Sequence, residues 1–467
     1  MSLTLRTAAA IALAALVAGT PVSAERAATP IPETFAAAGG TAGGQAVAPP
    51  APTTLAQARE LALAKSPALR KALLAVDSAV LARRSRSNEL LPQLSATAQT
   101  GFSFGGSESF LSTFRASLGL SASQTIYDGG RNAALAAIDA IDEATARAGA
   151  RSAYFAAVKG VEQAWYAALQ AYAAEKAARS DLEASRTHLA LAEAKLEAGM
   201  IARPAYLKSE SEVASKETAL ANATRKSQSA ARSLSSLTGL PASASLAEAD
   251  EAAVEALATR LAALGAAETD DFAAALLAAA EKGNPDLAAA GLALERAKAS
   301  VASARREAFP KVSASVSHNS SYVEATGFTP SSGSITLGAS IAIAPWNVRS
   351  AVAEAEKAEE EKAIAAEDSR DSAGLQIAGA VYDAVANARA IASSKKALEY
   401  AQRNYEALLE AFKLSSLSSS DLSDAEVLVS SAASSLIAAR YGFLSGLSSL
   451  KALACLEEDG LLEAAIP

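Results

Sequence analysis

The sequence predicts a mainly α-helical protein that also carries four strands of a membrane β-barrel. Three observations lead to this fold class. Two stretches of nearly 70 residues keep a helical period without a proline. Two pairs of shorter segments alternate between apolar and polar residues, as half-buried strands do. The whole plan also occurs twice, at an offset of roughly 217 residues, which indicates a tandem duplication.

The N-terminus has the pattern of a secretory signal peptide. Arg6 precedes a short apolar run, and the small residues Val22 and Ala24 stand before Glu25 as in a cleavage site. We expect residues 1–24 to be removed on export, with a retained N-terminal anchor as the alternative. Residues 25–53 are rich in Pro, Gly and Ala and are expected to form a flexible leader.

Composition narrows the class of function. Alanine makes up about a quarter of the 467 residues, which suits helices packed very close together. The net charge of −8 is unfavourable for a nucleic-acid partner. Cys455 is the only cysteine and there are two histidines, so we expect no disulfide, no metal site of the usual form and no cofactor. With no cysteine just after the signal, an N-terminal lipid anchor is not expected either.

The first repeat covers 54–240. Residues 55–90 have a helical pattern that ends before Pro92. A β-hairpin is predicted over 93–127. Its first segment places Leu94, Ala96 and Ala98 on one face and Gln93, Ser95 and Thr97 on the other. Its second segment places Phe114, Ala116 and Leu118 on one face and Arg115 and Ser117 on the other. A long helix from Arg131 to Gly199, a turn and a helix over 201–238 complete the repeat.

The second repeat covers 271–456 and has the same order: a helix over 271–308, a β-hairpin over 311–344, a long helix over 349–413 and a helix over 420–455. The matching segments include SPAL (66–69) with NPDL (284–287), LPQLSATA (91–98) with FPKVSASV (309–316), and AWYAALQA (164–171) with AVYDAVAN (380–387). Residues 241–270 are expected to form a peripheral linker, and 457–467 a C-terminal tail.

Helix lengths predict the packing. In each repeat the two shorter helices add up to about the length of the long one, which at 1.5 Å per residue is on the order of 100 Å. Two short helices stacked end to end beside one long helix would make a uniform antiparallel bundle with coiled-coil packing.

Four strands cannot close a barrel, and an open sheet edge in lipid would leave backbone groups unsatisfied. Membrane strands would therefore require association of chains: two would supply eight strands and three would supply twelve. Three is the better choice if the helices surround an open conduit. A water-soluble hairpin with its polar face outwards is the alternative, and the export signal and duplicated strand–helix plan favour the membrane.

Several segments resemble the TolC-like outer membrane efflux proteins, the exit ducts of drug-efflux and type I secretion systems. The resemblance covers about residues 54–456 and rests on the order and spacing of five segments: LPQLSATA (91–98), QTIYDGGR (124–131), EAGMIARPAYLKSESEV (197–213), LTGLP (237–241) and LSSLSSSDLSDAEVLV (414–429). It implies a homotrimer with a 12-stranded barrel in the outer membrane and a helical tunnel in the periplasm. A periplasmic adaptor protein and an inner-membrane pump would be the partners.

The resemblance also implies a periplasmic gate of acidic residues just after the second helix turn, which fall here on Asp421 and Asp424. The residues themselves agree in part, since two aspartates three apart share a helix face, and three chains would present six carboxylates around an axis. A charge that merely complements the helix dipole is the alternative for Asp421.

The helix turns are the adaptor contacts that the resemblance implies, with an ordinary solvated turn as the alternative. They are Gly199, Met200, Ile201 and Ala202 in the first repeat and Ser415, Ser416, Leu417 and Ser418 in the second. Leu417 stands where the family often has a basic residue, so a latch through that residue is not implied here.

A joint between barrel and tunnel is predicted at Tyr127, Asp128, Gly129 and Gly130, where alternation gives way to a helical period. Asp128 is expected to be the helix N-cap, and the glycines to allow the change of direction. Tyr127 would lie at the membrane interface. In the second repeat Trp346 occupies this region, so that copy must turn by other means.

No enzymatic activity is expected. GFSFG (101–105) fits the Gly-x-Ser-x-Gly pattern of hydrolases. The hydrolase mechanism needs that serine on a sharp strand-to-helix turn, whereas here it is predicted to end a strand and enter a hairpin loop. The predicted function is an outer membrane exit duct of a tripartite efflux or type I secretion system. The alternative is a periplasmic coiled-coil structural or adaptor protein that does not span a membrane. The sequence does not identify the cargo.

Overall fold

The computed structural model describes residues 53–89, 91–103, 113–323, 327–341, 345–413 and 419–456. The predicted signal peptide, the leader up to residue 52 and the C-terminal tail lie outside these ranges. The first half contains α1 (Leu55–Lys65), α2 (Pro67–Asn88), β1 (Gln93–Ser103), β2 (Thr113–Tyr127), α3 (Arg131–Glu197) and α4 (Arg203–Thr238). The second contains α5 (Glu251–Ala263), α6 (Ala266–Gly283), α7 (Pro285–Arg306), β3 (Lys311–Val323), β4 (Gly327–Phe328), β5 (Ser332–Ser340), α8 (Pro345–Lys413) and α9 (Ser419–Ala454).

Two of the predicted helices are each divided by a proline. The helix expected over 55–90 breaks between α1 and α2, where Ser66 accepts a hydrogen bond from the backbone N–H of Leu69 at 3.3 Å and Pro67 opens α2. The helix expected over 271–308 breaks at Asn284, which accepts from the N–H of Asp286 at 2.8 Å and precedes Pro285. Proline suits the first helical position but disfavours a helical conformation in the residue before it.

The predicted peripheral linker, 241–270, contains α5 and the start of α6. Asp250 caps α5 by accepting from the N–H of Ala252 at 3.1 Å. Ala258, Leu261 and Leu264 from this stretch are buried in a hydrophobic core. The segment is therefore part of the packed bundle, because apolar residues at helical spacing give α5 a face to bury.

Short helices lie end to end beside each long helix, as the helix lengths predict. The long helix α3 packs against α1, α2 and α4, and α8 packs against α5, α6, α7 and α9. Where α1 meets α4, the Lys65 ammonium donates to the carbonyl oxygen of Ser236 at 3.0 Å. Where α6 and α7 meet the end of α9, the Asn284 amide donates to the carbonyl oxygen of Leu453 at 3.2 Å.

Among the described residues, two hydrophobic cores lie in the bundle, and α9 contributes to both. One core joins α5, α6, α8 and α9, and its fully buried side chains include Leu261, Leu276, Val381, Phe443 and Leu450. The other joins α1, α3, α4 and α9 around Trp165.

The stretch Ser420–Ala454 is long and apolar enough to cross a membrane by length and composition, with a mean hydropathy of 1.4. Because Phe443, Leu447 and Leu450 of this stretch are buried in one core and Tyr441 and Leu444 in the other, we treat α9 as a bundle helix.

Truncating a core residue is expected to destabilise the bundle strongly. Phe443 is 0% exposed, so Phe443→Ala removes a ring whose space neighbouring side chains cannot fill. We expect a loss of about 3–5 kcal/mol in the free energy of unfolding. Guanidinium titration of the helical circular dichroism in detergent would measure it. Phe443→Leu is the matched control, and an equal loss in both variants would contradict the cavity explanation.

The sheet is antiparallel in the order β1-β2-β3-β5, with β4 pairing the far end of β3. Its register confirms the predicted alternation. On one face Leu94 lies opposite Ala122 and Val316 opposite Ile335, whereas on the other a row of small polar side chains runs across the strands: Ser95, Ser121, Ser317 and Ser334. The sheet therefore has one apolar and one polar face.

Candidate functional site

The predicted acidic pair lies at the start of α9. Asp421 is in the first turn, and both Asp421 and Asp424 are exposed. Between and after them Leu422, Ser423 and Ala425 are buried against the rest of the chain. The helix therefore buries one side and presents both carboxylates on the other. The position of Asp421 also complements the helix dipole, so the two interpretations of this residue are compatible.

The first predicted tip is the turn between α3 and α4. Gly199 has a left-handed φ of 70°, and its N–H donates to the carbonyl of Leu196 at 2.9 Å. The N–H of Met200 donates to the carbonyl of Lys195 at 2.8 Å, which completes a Schellman motif. Met200 is 64% exposed. The turn is thus tightly closed and presents an apolar side chain to the outside. The second predicted tip, 415–418, lies outside the described residues.

Polar contacts join the two helical hairpins near these turns, and we call this set the tip seam. The Lys208 ammonium donates to the Ser420 hydroxyl at 2.8 Å, and the Ser423 hydroxyl donates to Glu212. Lys195 donates to the carbonyl oxygen of Phe412 and lies 3.7 Å from the centre of its ring. Burial lowers the pKa of the Lys195 ammonium. The seam holds α9, and with it the acidic pair, against the α3–α4 hairpin.

The strand-to-helix joint differs in one detail from the prediction. The N-cap position of α3 is Gly130 rather than Asp128. The Asp128 carboxylate nevertheless supplies the cap, accepting from the N–H of Gly130 at 2.9 Å and from that of Asn132 at 2.6 Å. Gly129 and Gly130 are both left-handed, with φ of 69° and 82°. The N-cap position moves from Asp128 to Gly130 because two consecutive left-handed residues, Gly129 and Gly130, make the turn before the helix begins.

Arg306 at the end of α7 fastens this joint. Its guanidinium donates to the carbonyl oxygen of Gly130 at 3.0 Å. On the strand side, Tyr127 is 49% exposed and follows an irregularity in the pairing of β2 with β3. In the second repeat Trp346 lies in the first turn of α8 and is 69% exposed. The second joint thus places an exposed aromatic ring at the start of its helix.

The Gly-x-Ser-x-Gly pattern would need a histidine beside Ser103 to activate it, but His318 lies far from that serine along the sheet. The sheet register puts Ser103 opposite Thr113 and His318 opposite Leu120, so seven residues of β2, about 23 Å of strand, separate the two along the sheet. Within the described ranges there is no group of three or more His, Cys, Asp or Glu side chains that could hold a metal ion.

Comparison with known families decides the class of protein. A family model described as outer membrane efflux protein matches residues 58–240 and 276–455. The chain belongs to the outer membrane efflux protein family. The predicted function, an outer membrane channel of an efflux system, is thereby confirmed, and the alternative of a periplasmic adaptor is not favoured. This is a family of transport channels rather than of enzymes.

Solved structures of outer membrane channels share the fold of this efflux protein. CmeC of Campylobacter jejuni is 14% identical, with 88% of this chain and 89% of that chain covered at a TM-score of 0.70. VceC of Vibrio cholerae is 16% identical (86% and 96%, TM-score 0.67). The open state of MtrE from Neisseria gonorrhoeae is 20% identical (86% and 88%, TM-score 0.66). A comparison with curated proteins finds no match.

Sequence reasoning missed the tip seam of this efflux protein. Lys195 and Phe412 belong to no motif of the sequence. One signal was available: Lys195 and Phe412 are 217 residues apart, the offset of the repeat. Positions related by the repeat therefore meet between α3 and α8.

Proposed function

We propose that three copies of this chain form a continuous duct, with a 12-stranded barrel in the outer membrane and a helical tunnel in the periplasm. The observation that carries the proposal is the sheet. Among the described strands, β1 pairs only with β2, and β5 only with β3, so each chain ends in two open edges. Pairing β5 of one chain with β1 of the next would satisfy them, and four main strands per chain give twelve.

The two faces of the sheet support this orientation. Leu94, Ile335 and Leu337 on the apolar face are 71–84% exposed in the single chain, which is costly in water and favourable in lipid. At the far end of the sheet Tyr322 packs against Phe114 and Phe328, with ring centres 6.5 and 5.1 Å apart. Together with Tyr127 and Trp346 at the joints, these rings would form two interfacial belts. The serine-rich face would then line the lumen.

A tandem duplication accounts for the twofold plan. The helices α2 and α7 each have 22 residues, α4 and α9 each have 36, and the long helices have 67 and 69. The family model also matches in two segments of similar length, 58–240 and 276–455.

At the periplasmic end the duct narrows to a gate formed by Asp421 and Asp424. Six carboxylates around the axis would favour cations and repel anions. The seam that holds α9 against the α3–α4 hairpin supports a closed tip, and the described open state of MtrE shows that a channel of this fold can open. The turns Gly199–Ala202 and 415–418 are the surfaces on which a periplasmic adaptor and, through it, an inner-membrane pump would dock.

Cell fractionation tests the assembly. The protein is expected in the outer membrane fraction, and unheated samples are expected to migrate in SDS gels at about three times the monomer mass, because the strand pairing that closes the proposed barrel joins all three chains. Recovery as a monomer from the soluble periplasm would overturn the duct.

A further inference from the structure

A small cavity lies where α1, α3 and α9 meet, and we call it the bundle cavity. Its volume is about 70 Å³. A single water needs only about 10–15 Å³ of such space, so the cavity has room for an ion of the size of phosphate. Tyr154 in its wall is 23 residues after the start of α3, about 35 Å along the helix. The bundle cavity is therefore remote from both the strand-to-helix joint and the tip.

Apolar side chains form much of the wall of the bundle cavity. Leu63 of α1 and Tyr154, Phe155 and Val158 of α3 line it. The Tyr154 and Phe155 rings meet edge to face with their centres 5.5 Å apart, and Phe155 is buried. Walls of this kind weaken the screening by water, so charges that line the cavity act on one another and on any occupant more strongly than at an open surface.

The charged groups of the bundle cavity are mostly positive. Among the described residues that line it, Arg59, Lys159 and Lys451 are cations and Glu162 is the one carboxylate. The Arg59 guanidinium pairs with the Glu162 carboxylate, which is 3% exposed. Three positive charges and one negative charge leave a net charge of +2. Since Lys159 and Lys451 are both half-buried, this excess is costly unless an anion balances it.

A buried hydroxyl group in the wall lacks a hydrogen-bond partner. Ser448 of α9 is 3% exposed, and its Oγ has no hydrogen-bond partner within the part of the chain that the structure describes. The next residue, Ser449, shows the ordinary case, because its hydroxyl accepts from the Gln163 amide at 3.0 Å. Buried hydroxyl groups nearly always have a partner, so the Ser448 hydroxyl marks a position where an occupant of the cavity would bind.

The chemistry of these groups selects the occupant. Ammonium and guanidinium groups only donate hydrogen bonds, and the serine hydroxyl can donate as well. Such donors bind carboxylate and phosphate oxygens through charge-assisted hydrogen bonds. A metal cation would find a positive surrounding and a single carboxylate, Glu162, that Arg59 already neutralises. An oxyanion therefore fits the cavity and a metal ion does not.

We propose that the bundle cavity is an oxyanion-binding site, in which Lys159 and Ser448 hold a phosphate or carboxylate group and Lys451 and Arg59 add positive charge. The bound anion stabilises the packing of α9 on α1 and α3. This inference goes beyond the proposed duct, since neither the barrel nor the acidic gate enters it.

Two sources could supply the oxyanion. One is free phosphate. The other is the chain itself, because the sequence continues from Leu456, which lines the bundle cavity, with the three acidic residues Glu457, Glu458 and Asp459. The chemistry of recognition is the same for both, and the experiment separates them.

Thermal unfolding of the detergent-solubilised protein tests the site, followed by helical circular dichroism at pH 7.5 in phosphate and in chloride buffers of equal ionic strength. With free phosphate as the ligand, phosphate is expected to raise the unfolding midpoint of the unmodified protein. Lys159→Met is expected to raise the phosphate concentration for half of this effect at least about tenfold, because a charge-assisted hydrogen bond is lost. Ser448→Ala is expected to lower the midpoint in phosphate only.

Matched controls separate binding at the cavity from general effects of salt and of substitution. Lys176→Met changes an exposed lysine of α3, and Ser434→Ala changes an exposed serine of α9. Both variants should respond to phosphate as the unmodified protein does. A Ser448 hydroxyl with a merely structural role would change the midpoint equally in phosphate and in chloride.

Neutralising the three acidic residues together, by Glu457→Gln, Glu458→Gln and Asp459→Asn, identifies the source. If they supply the carboxylate, the unmodified protein does not respond to phosphate, whereas the triple variant melts earlier and recovers in phosphate. That recovery must be lost when Lys159→Met or Ser448→Ala is added. If free phosphate is the ligand, the triple variant behaves as the unmodified protein. The proposal is overturned if neither protein responds to phosphate, or if the Lys159 and Ser448 variants respond as strongly as their controls.

Discussion

Replacing Asp421 and Asp424 together by alanine is expected to increase single-channel conductance severalfold and to weaken block by a multivalent cation by at least about tenfold, which is about 1.4 kcal/mol. The reason is the position of the pair: both carboxylates are exposed on the side of α9 opposite its buried contacts. Around a threefold axis they would be the densest negative charge at the narrowest part of the duct. Planar-bilayer recordings with and without the blocking cation would measure both quantities.

Asparagine variants and salt separate charge from size. Asp421→Asn with Asp424→Asn keeps the side-chain volume, so an electrostatic gate predicts loss of cation block with little gain in conductance at high salt. The screening length falls from about 10 Å at 0.1 M salt to about 3 Å at 1 M. The selectivity difference between the original channel and the asparagine variant should therefore shrink as salt rises, whereas a purely steric constriction would not respond to salt.

A second aspartate pair provides the control. Asp368 and Asp371 are also exposed and three apart, but they lie in the middle of α8. Replacing them by alanine is expected to leave cation block unchanged. If the Asp421 and Asp424 variant also keeps its block and loses only about 0.3–1 kcal/mol of stability, Asp421 merely complements the dipole of α9.

The long-range order of the chain could be predicted from the sequence because it depends on periodicity. The helical period defines α3 and α8 to within a few residues, and the alternation in β1 to β3 agrees with the observed register. The helix breaks at Ser66 and Asn284 could also have been predicted from the sequence, since both residues precede a proline and can cap a helix. They were missed because the helical pattern continues in phase across them.

The contacts at the tip depend on which turns of two long helices face each other, and periodicity alone does not determine that. His188 with Tyr405 and Lys195 with Phe412 are both 217 residues apart, and the two pairs are seven residues apart along each helix. Once α3 and α8 are known to run side by side in register, the repeat offset and the heptad spacing identify both pairs. The sequence carries no such signal for the burial of Glu426 against Ser185 and His188. Asp421 and Asp424, a few residues earlier on the same helix, are also acidic and yet are exposed.

Substituting Gly129 is expected to have the largest effect on assembly. Its φ of 69° disfavours any side chain, and a Cβ atom there would lie 2.4 Å from the Cβ of Phe309. Since that atom is fixed to the backbone, either the joint or the start of β3 must move. Gly129→Ala is expected to cost about 1–3 kcal/mol from backbone conformation alone, before the clash is added. The yield of heat-modifiable trimers should fall sharply, and Gly129→Val should abolish it.

Gly130 is expected to be less sensitive, although its φ of 82° is equally unusual. A Cβ atom there would meet Nη1 of Arg306 at 2.0 Å, but the end of an arginine side chain can move aside. Gly130→Asn should be tolerated best, because asparagine adopts left-handed angles more readily than other residues. Gly149, an exposed position of α3 with no atom within 4 Å of an added Cβ, is the control, and Gly149→Ala should assemble normally. Equal trimer yields for Gly129→Ala and Gly149→Ala would mean that the joint can re-form around a side chain, and the direction of the tunnel would then be determined by the packing of α2 and α7 on α3 rather than by the two glycines.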